Sequence, residues 1–345
     1  MKLSIIVPVY NMASEGKLEY CLESLVNQTI SDYEIIAVDD ASTDESFRIL
    51  QLYQQKYSFF KAIHSDVNRK QGGAKNIGIA EAAGEWIGFI DSDDWITYDM
   101  YERLIALGEE TGADIVGCDY GLTDEHSMRP GRRVANNYED QTGILNETKY
   151  KSLILDSGSL VVKIYRRHII VDCEARFPEG IFYEDNAIAN TWLLRAKRFE
   201  YIPEPLYYYY QHDSSTVHTI TEKRCGHRME AARLMLAEAR REGYFDKYST
   251  ELEFSFMLLF FINTLFSYMQ GAKNRKLSFV RKLAQEMQET FPDFIENVYY
   301  QSRIPEEEKK WIALCMRSVF VFYIYFILKQ WYRNMRKKCV RNRRK

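Results

Sequence analysis

Short β-branched runs alternating with amphipathic stretches constrain the first 118 residues more than any other feature of the chain. Leu3–Val9, Glu34–Val38, Phe59–His64, Trp86–Ile90 and Asp114–Cys118 read as strands. Between them Glu15–Gln28, Asp44–Lys56, Gly73–Ala83 and Tyr98–Thr111 read as helices. Such alternation builds a largely parallel sheet with helices on both faces. Four of the strands end in polar or conformationally special clusters: Pro8–Asn11, Asp39–Asp40, Ser65–Asn68 and Asp91–Asp94. Ligands of open α/β sheets sit at the carboxyl ends of strands, so these clusters are expected to meet in one crevice.

Beyond residue 119 the alternation stops. Gly121–Asp140 is polar enough for a hairpin or a loop, Gly158–Tyr165 reads as a further strand, and Glu184–Arg195 as a helix. Phe199–Tyr210 reads as two strands interrupted at Pro203 and Pro205, because proline cannot donate to a ladder. From Thr221 onward the pattern is helical, which sets the expected boundary near residue 219, with an α/β domain over 1–218 and a helical region over 219–345. A chain of 345 residues with 46% hydrophobic and 28% charged content can bury a sizeable core in either arrangement.

Six scattered cysteines offer no C-x-x-C pair and no zinc spacing, and read as reduced thiols. The apolar start is broken at Pro8 and lacks a cleavage pattern, so export is not expected. A formal net charge of −3 conceals nine cations and no acid among the last seventeen residues, which leaves the remainder at −12. A basic tail on an acidic body suits an anionic partner, either a membrane surface or a nucleic acid. The aromatic stretch Ser318–Leu328 and Trp331 run directly into that tail, a pairing suited to a helix lying on an anionic membrane. A solvated tail and a buried helix are the plainer alternative. Phe254–Met269 is too short and too polar for a good membrane span and reads as the core of a helical bundle.

The sharpest chemical signal is Asp91-Ser92-Asp93-Asp94, directly after a strand. Three carboxylates so close repel unless a cation or donors lie among them, and a hard divalent ion suits the cluster. Its alternative is a helix start, with Asp and Ser capping a helix over Trp95–Thr111. In Val38–Asp44, capping accounts for Ser42, Thr43 and Asp44 but leaves Asp39 and Asp40 free to accept from a nucleobase imide or a ribose hydroxyl.

These residues resemble the inverting family 2 glycosyltransferases. The likeness rests on Val7–Asn11, Val38–Asp44, Gly72–Gly78 with Ala74-Lys75-Asn76, Gly84-Glu85-Trp86 and Asp91–Asp94, and continues in Tyr183–Asn186 and Glu204–Tyr209. It implies a GT-A nucleotide-diphospho-sugar transferase fold, a Rossmann-like mixed sheet with flanking helices, followed here by a helical C-terminal region. By that resemblance Pro8, Val9, Tyr10, Asn11, Asp39 and Asp40 hold the nucleotide, with Asp40 on a uracil imide. Asp91 faces the ribose, Ser92 joins the nucleotide-sugar-binding set, and Asp93 with Asp91 binds the metal, Mn2+ or Mg2+. Lys75 adds positive charge near the phosphates. Asp185 is implied as general base, with Glu184 beside it adding like-charge repulsion.

The implied partners are a UDP-sugar donor and a glycan or lipid-linked saccharide acceptor in cell-surface polysaccharide assembly. No nucleic acid is expected, and the implied location is the cytoplasm, peripheral to the inner face of the membrane. The chain departs from the family in Ala41, where Gly is usual, and in Lys75, where Arg is usual. A dinucleotide or P-loop reading is disfavoured by the lack of a G-x-G-x-x-G after the first strand and of a Walker lysine motif. A non-catalytic nucleotide- or membrane-surface-binding protein is the alternative. His212 and His218 read as loop histidines with a third metal ligand as the sharper option, and Tyr207–Tyr210 as a strand with half its rings in the core, with stacking on sugars as the sharper option.

Overall fold

A computed structural model of the chain describes residues 1–127, 129, 131–211 and 220–342. Two compact units are present, Met1–Ser215 with Ala237–Tyr244, and Thr216–Leu236 with Phe245–Lys345. The expected boundary at residue 219 and the histidines His212 and His218 lie outside the described residues.

The first unit contains strands β1 (Leu3–Val9), β2 (Tyr33–Asp39), β3 (Phe60–His64), β4 (Trp86–Phe89), β5 (Trp95–Ile96), β6 (Ile115–Thr123), β7 (Arg133–Val134), β8 (Gly143–Ile144), β9 (Lys163–Arg166) and β10 (Arg198–Tyr210). They form one mixed sheet in the order β3-β2-β1-β4-β9-β6-β10-β5, with β7 on β6 and β8 on β10. β1 runs parallel to β2 and β4, and β2 parallel to β3, while β9 lies antiparallel between β4 and β6. All seven residues of β1 are buried, as a central strand covered on both faces requires. Helices α1 (Lys17–Val26), α2 (Ser46–Lys56), α3 (Lys70–Glu81), α4 (Met100–Thr111), α5 (Glu147–Leu155), α6 (Arg167–Val171) and α7 (Glu184–Arg195) complete the unit.

Three sequence expectations are corrected. The helix expected from Gly73 begins at Lys70, because Gly72 and Gly73 serve close packing rather than breaking the helix. The Phe199–Tyr210 segment is one strand, and the prolines are absorbed where the register with β6 jumps from Ile202 to Pro205. No helix starts at Asp91–Asp94; β5 intervenes and α4 begins only at Met100. Capping therefore fails as an explanation of the acidic cluster. The Gly121–Asp140 region forms a hairpin through the antiparallel pairing of Tyr120 and Gly121 with β7.

Helices α8 (Glu222–Arg241), α9 (Ser249–Phe256), α10 (Asn263–Gly271), α11 (Leu277–Thr290), α12 (Val298–Arg303), α13 (Glu306–Arg317) and α14 (Val319–Asn342) follow. A π-helical turn, Met257–Ile262, joins α9 to α10 without a break, so that Ser249–Gly271 is longer than the apolar stretch expected from the sequence. By length and composition this segment could cross a membrane, but 61% of its most apolar window is buried inside the protein. Met257, Phe260, Phe261 and Leu265 pack there with Leu283, Met287 and Phe294 in the apolar interior of the second unit.

Candidate active site

The carboxyl ends of β1 and β2 are tied into one lip by their own loops. Asn11, held at a positive φ of 51°, donates its N–H to Ser42 Oγ at 2.9 Å, and its Oδ1 accepts from the Thr43 N–H at 2.8 Å. Met12 and Ala13 donate to Ser46 Oγ at 2.7 Å and to Asp44 Oδ2 at 3.0 Å. Ser42 thus serves the neighbouring loop, while Asp44 does both, its Oδ1 accepting the N–H of Ser46, the first residue of α2, at 2.9 Å. Ala41 directly precedes Ser42 at φ 59°, in the left-handed region that favours glycine. The backbone geometry explains why glycine is usual at this position. Pro8 and Val9 lie inside β1, the Val9 carbonyl accepts the Asp40 N–H at 2.8 Å, and Tyr10 is exposed at the lip.

Asp39 and Asp40 take different roles. Asp39 is fully buried, with Oδ2 accepting from the Ser42 N–H at 3.2 Å and lying 2.7 Å from His64 Nδ1, while its Oδ1 is buried without a hydrogen-bond partner. His64 was not anticipated from the sequence, although strand register places it beside Asp39. Asp40 Oδ1 accepts the Arg69 N–H at 2.7 Å, and burial pushes its carboxyl above the usual range against that hydrogen bond. Asp40 thereby fixes the approach to α3, where Lys70 adopts a positive φ of 64° and places its ammonium near the rings of Tyr10 and Phe182.

The acidic cluster after β4 divides its labour as well. Asp94 is buried, and its carboxylate accepts the Tyr207 hydroxyl at 2.6 Å and the Tyr210 N–H at 2.8 Å. Burial, and then the charges of Asp93 and Asp91, push the Asp94 carboxyl well above its ordinary value. Its contacts make it a clasp between the β4 loop and β10. The Tyr207 hydroxyl, which the sequence does not single out, helps to hold the cluster to β10. Ser92 is buried, and Asp91 and Asp93 are partly exposed. Asp91 Oδ1 accepts from Gln71 Nε2 at 3.3 Å. Its carboxyl is raised to about 6, mainly by burial, with Lys75 opposing and Asp93, Glu184 and Asp185 adding to the rise.

Across the crevice, α7 starts after Tyr183, which turns the chain at a φ of 66°. Asp185 stands in the first turn, with Oδ1 accepting from the N–H and side-chain amide of Asn186 at 2.9 and 2.8 Å. Glu184 is buried, and its Oε1 receives Lys75 Nζ at 2.8 Å, with both side chains almost fully enclosed. This corrects two expectations. The ammonium of Lys75 is turned to Glu184 rather than presented to a phosphate, and the charge that Glu184 was expected to direct at Asp185 is offset in place. Burial alone would lower the Lys75 pKa; the charges of Glu184, Asp91 and Asp185 carry it above its ordinary value. Lys75 therefore feels the acids of the β4 loop and of α7 together.

Close backbone approach holds the two walls in register. A Cβ at Gly72 would stand 2.3 Å from the Pro178 carbonyl oxygen and 3.2 Å from the Glu184 Cβ. Asn76 exchanges two hydrogen bonds with the Phe177 backbone, at 2.8 and 3.1 Å. Among the described residues no group of three or more His, Cys, Asp or Glu could hold a metal unaided. Two hard carboxylates, Asp91 and Asp93, with Asp91 raised mainly by burial and further by its acidic neighbours, suit an ion completed by water and phosphate oxygens.

Residues 4–168 match the family described as "Glycosyl transferase family 2". The chain is 37% identical over 228 residues to "Putative glycosyltransferase EpsH" of Bacillus subtilis, covering 64% of each. It is 30% identical over 218 residues to "Uncharacterized glycosyltransferase YibD" of Escherichia coli, covering 62% of each. The match thus spans less than two thirds of these relatives. The crystal structure of Staphylococcus aureus TarS 1-349 in complex with UDP-GlcNAc superposes with a TM-score of 0.65 at 22% identity, covering 97% of this chain and 92% of that one. At that identity the likeness establishes the fold.

Proposed function

From the premise that this chain carries a glycosyl transferase family 2 domain over residues 4–168, we propose that it transfers a sugar from a nucleoside diphosphate donor, a UDP-sugar, to an acceptor hydroxyl with inversion. The acceptor class is a glycan or lipid-linked saccharide of cell-surface polysaccharide assembly, met in the cytoplasm at the inner face of the membrane. One observation carries the reading. Asp91 at the end of β4 and Asp185 in the first turn of α7 come from distant parts of the chain, yet α3 joins them: its Gln71 donates to Asp91 at 3.3 Å, and its Lys75 to Glu184, the neighbour of Asp185, at 2.8 Å. UDP-GlcNAc in TarS supports UDP as the nucleotide.

In this reading the lip Pro8–Asn11 and the Asp39–Asp40 pair receive the nucleoside, and Ser92 and Asp91 border the ribose and diphosphate. Asp93 and Asp91 would hold Mn2+ or Mg2+, which when bound supplies Lewis-acid stabilisation to the departing diphosphate. Asp185 accepts the acceptor's hydroxyl proton while that oxygen bonds to the anomeric carbon. The bond to the nucleotide breaks on the opposite face, which inverts the centre, and the electron pair leaves with the diphosphate. Lys75 holds Glu184 in a buried ion pair, so that α7 presents Asp185 in a fixed position.

The test is release of UDP from a panel of UDP-sugars by the full chain with manganese, compared with Asp185→Asn. General-base loss should cut turnover by roughly 10²–10⁴-fold while leaving UDP affinity within about twofold. Equal turnover in the variant would remove Asp185 from the mechanism, and no turnover on any donor would favour a binding protein.

A further inference from the structure

Helix α14 (Val319–Asn342) divides its sides unequally. One side is seated: Phe322 and Phe326 are buried with ring centroids 5.9 and 5.1 Å from Trp311, and Lys329 reaches Glu307 at 2.9 Å. At 100° per residue, the opposite side carries Phe320, Ile324, Leu328, Trp331 and Met335, which are 60, 43, 56, 60 and 45% exposed. At that spacing no charged position of the sequence falls within this stripe between Phe320 and Met335, and Lys329 lies on the seated side. A solvated surface helix would show the reverse, with its polar residues outward.

We propose that this face of α14 is a membrane-docking surface that lies in the interface of an anionic bilayer. Charge selects the occupant. Nine cations and no acid occupy the last seventeen residues, so two copies of the helix would bring like charges together, whereas an anionic lipid surface neutralises them. The aromatic residues Trp331 and Tyr332 stand where the apolar half gives way to the basic half, as suits an interfacial helix. The inference extends the acceptor reading above by naming the surface on which it would operate, but its test contains no nucleotide or sugar. Failure of one therefore leaves the other standing.

The full chain is mixed with vesicles of phosphatidylcholine alone or with 30% phosphatidylglycerol, including bilayers whose acyl chains are brominated. Of the five tryptophans, Trp331 alone is exposed; Trp86, Trp95 and Trp192 are fully enclosed and Trp311 nearly so. Insertion should produce sedimentation with the anionic vesicles and quenching by bromine that disappears in Trp331→Phe. Ile324→Glu with Leu328→Glu alters only exposed positions and should weaken binding at least tenfold. Arg336→Glu with Lys337→Glu and Lys338→Glu should weaken it roughly a hundredfold. Binding without bromine quenching, equal binding by the Ile324/Leu328 variant, or concentration-dependent dimerisation abolished by that variant without vesicle binding would each overturn the proposal.

Discussion

Ala41 holds φ 59° directly before Ser42, whose hydroxyl accepts from the β1 loop and whose N–H binds the Asp39 carboxylate. A left-handed alanine costs about 1 kcal/mol, which offsets the ~0.4–1 kcal/mol by which alanine normally gains over glycine through the unfolded chain. Ala41→Gly should therefore leave chemical-denaturation stability unchanged within about 0.5 kcal/mol or raise it, contrary to the usual cost of that substitution. A loss above about 1 kcal/mol would show that the turn is not strained. Lys163 gives a second residue-scale expectation. Its ammonium is buried, donates to the Ser157 and Ser159 carbonyls at 2.8 and 2.7 Å, and is pulled down to about 7 by burial. Between that value and the ordinary 10.5 the unfolded chain binds the extra proton, so this group makes stability rise with pH; the penalty is complete below 7 and absent above 10.5. Lys163→Met should flatten the rise between pH 7 and 10, and an unchanged slope would contradict the burial argument.

The elements show which local signals were legible. Strand ends were: the four polar clusters noted from residue order alone lie at the ends of β1, β2, β3 and β4. Asp91 could be singled out because three carboxylates follow one strand, whereas Asp185 came only from the family resemblance, since acids in a first helical turn are common along this chain. What stayed hidden were tertiary uses of residues with a local reading. Gly72 looks like a breaker but lies inside α3, since only a hydrogen at that position lets α3 approach Pro178 and Glu184. Pro203 and Pro205 look like a break but ride a bulge in a continuous β10. Lys75 and Glu184 are 109 residues apart, and nothing in either local sequence announces their ion pair. Gly72→Ala should cost about 2 kcal/mol by overpacking. Because it moves the α3 wall against α7, it should also lower turnover more than tenfold; a stable, fully active variant would mean that the contact yields without disturbing Asp185.

For the molecule as a whole, the first unit gathers on one crevice groups drawn from β1, β2, β4, α3 and α7, which is what a parallel sheet does with its strand ends. The second unit was legible as helical, and its apolar interior follows from the burial of Ser249–Gly271. The individual helix limits were not, because its amphipathic stretches follow one another with few caps or breakers. The central claim is that Asp93 and Asp91 hold the ion that joins the diphosphate to this crevice. Isothermal titration of UDP into the full chain with and without manganese, repeated on Asp93→Ala, tests it most directly. The account predicts binding that requires the metal and is lost in the variant. Equal UDP affinity with or without manganese, or in Asp93→Ala, would contradict it.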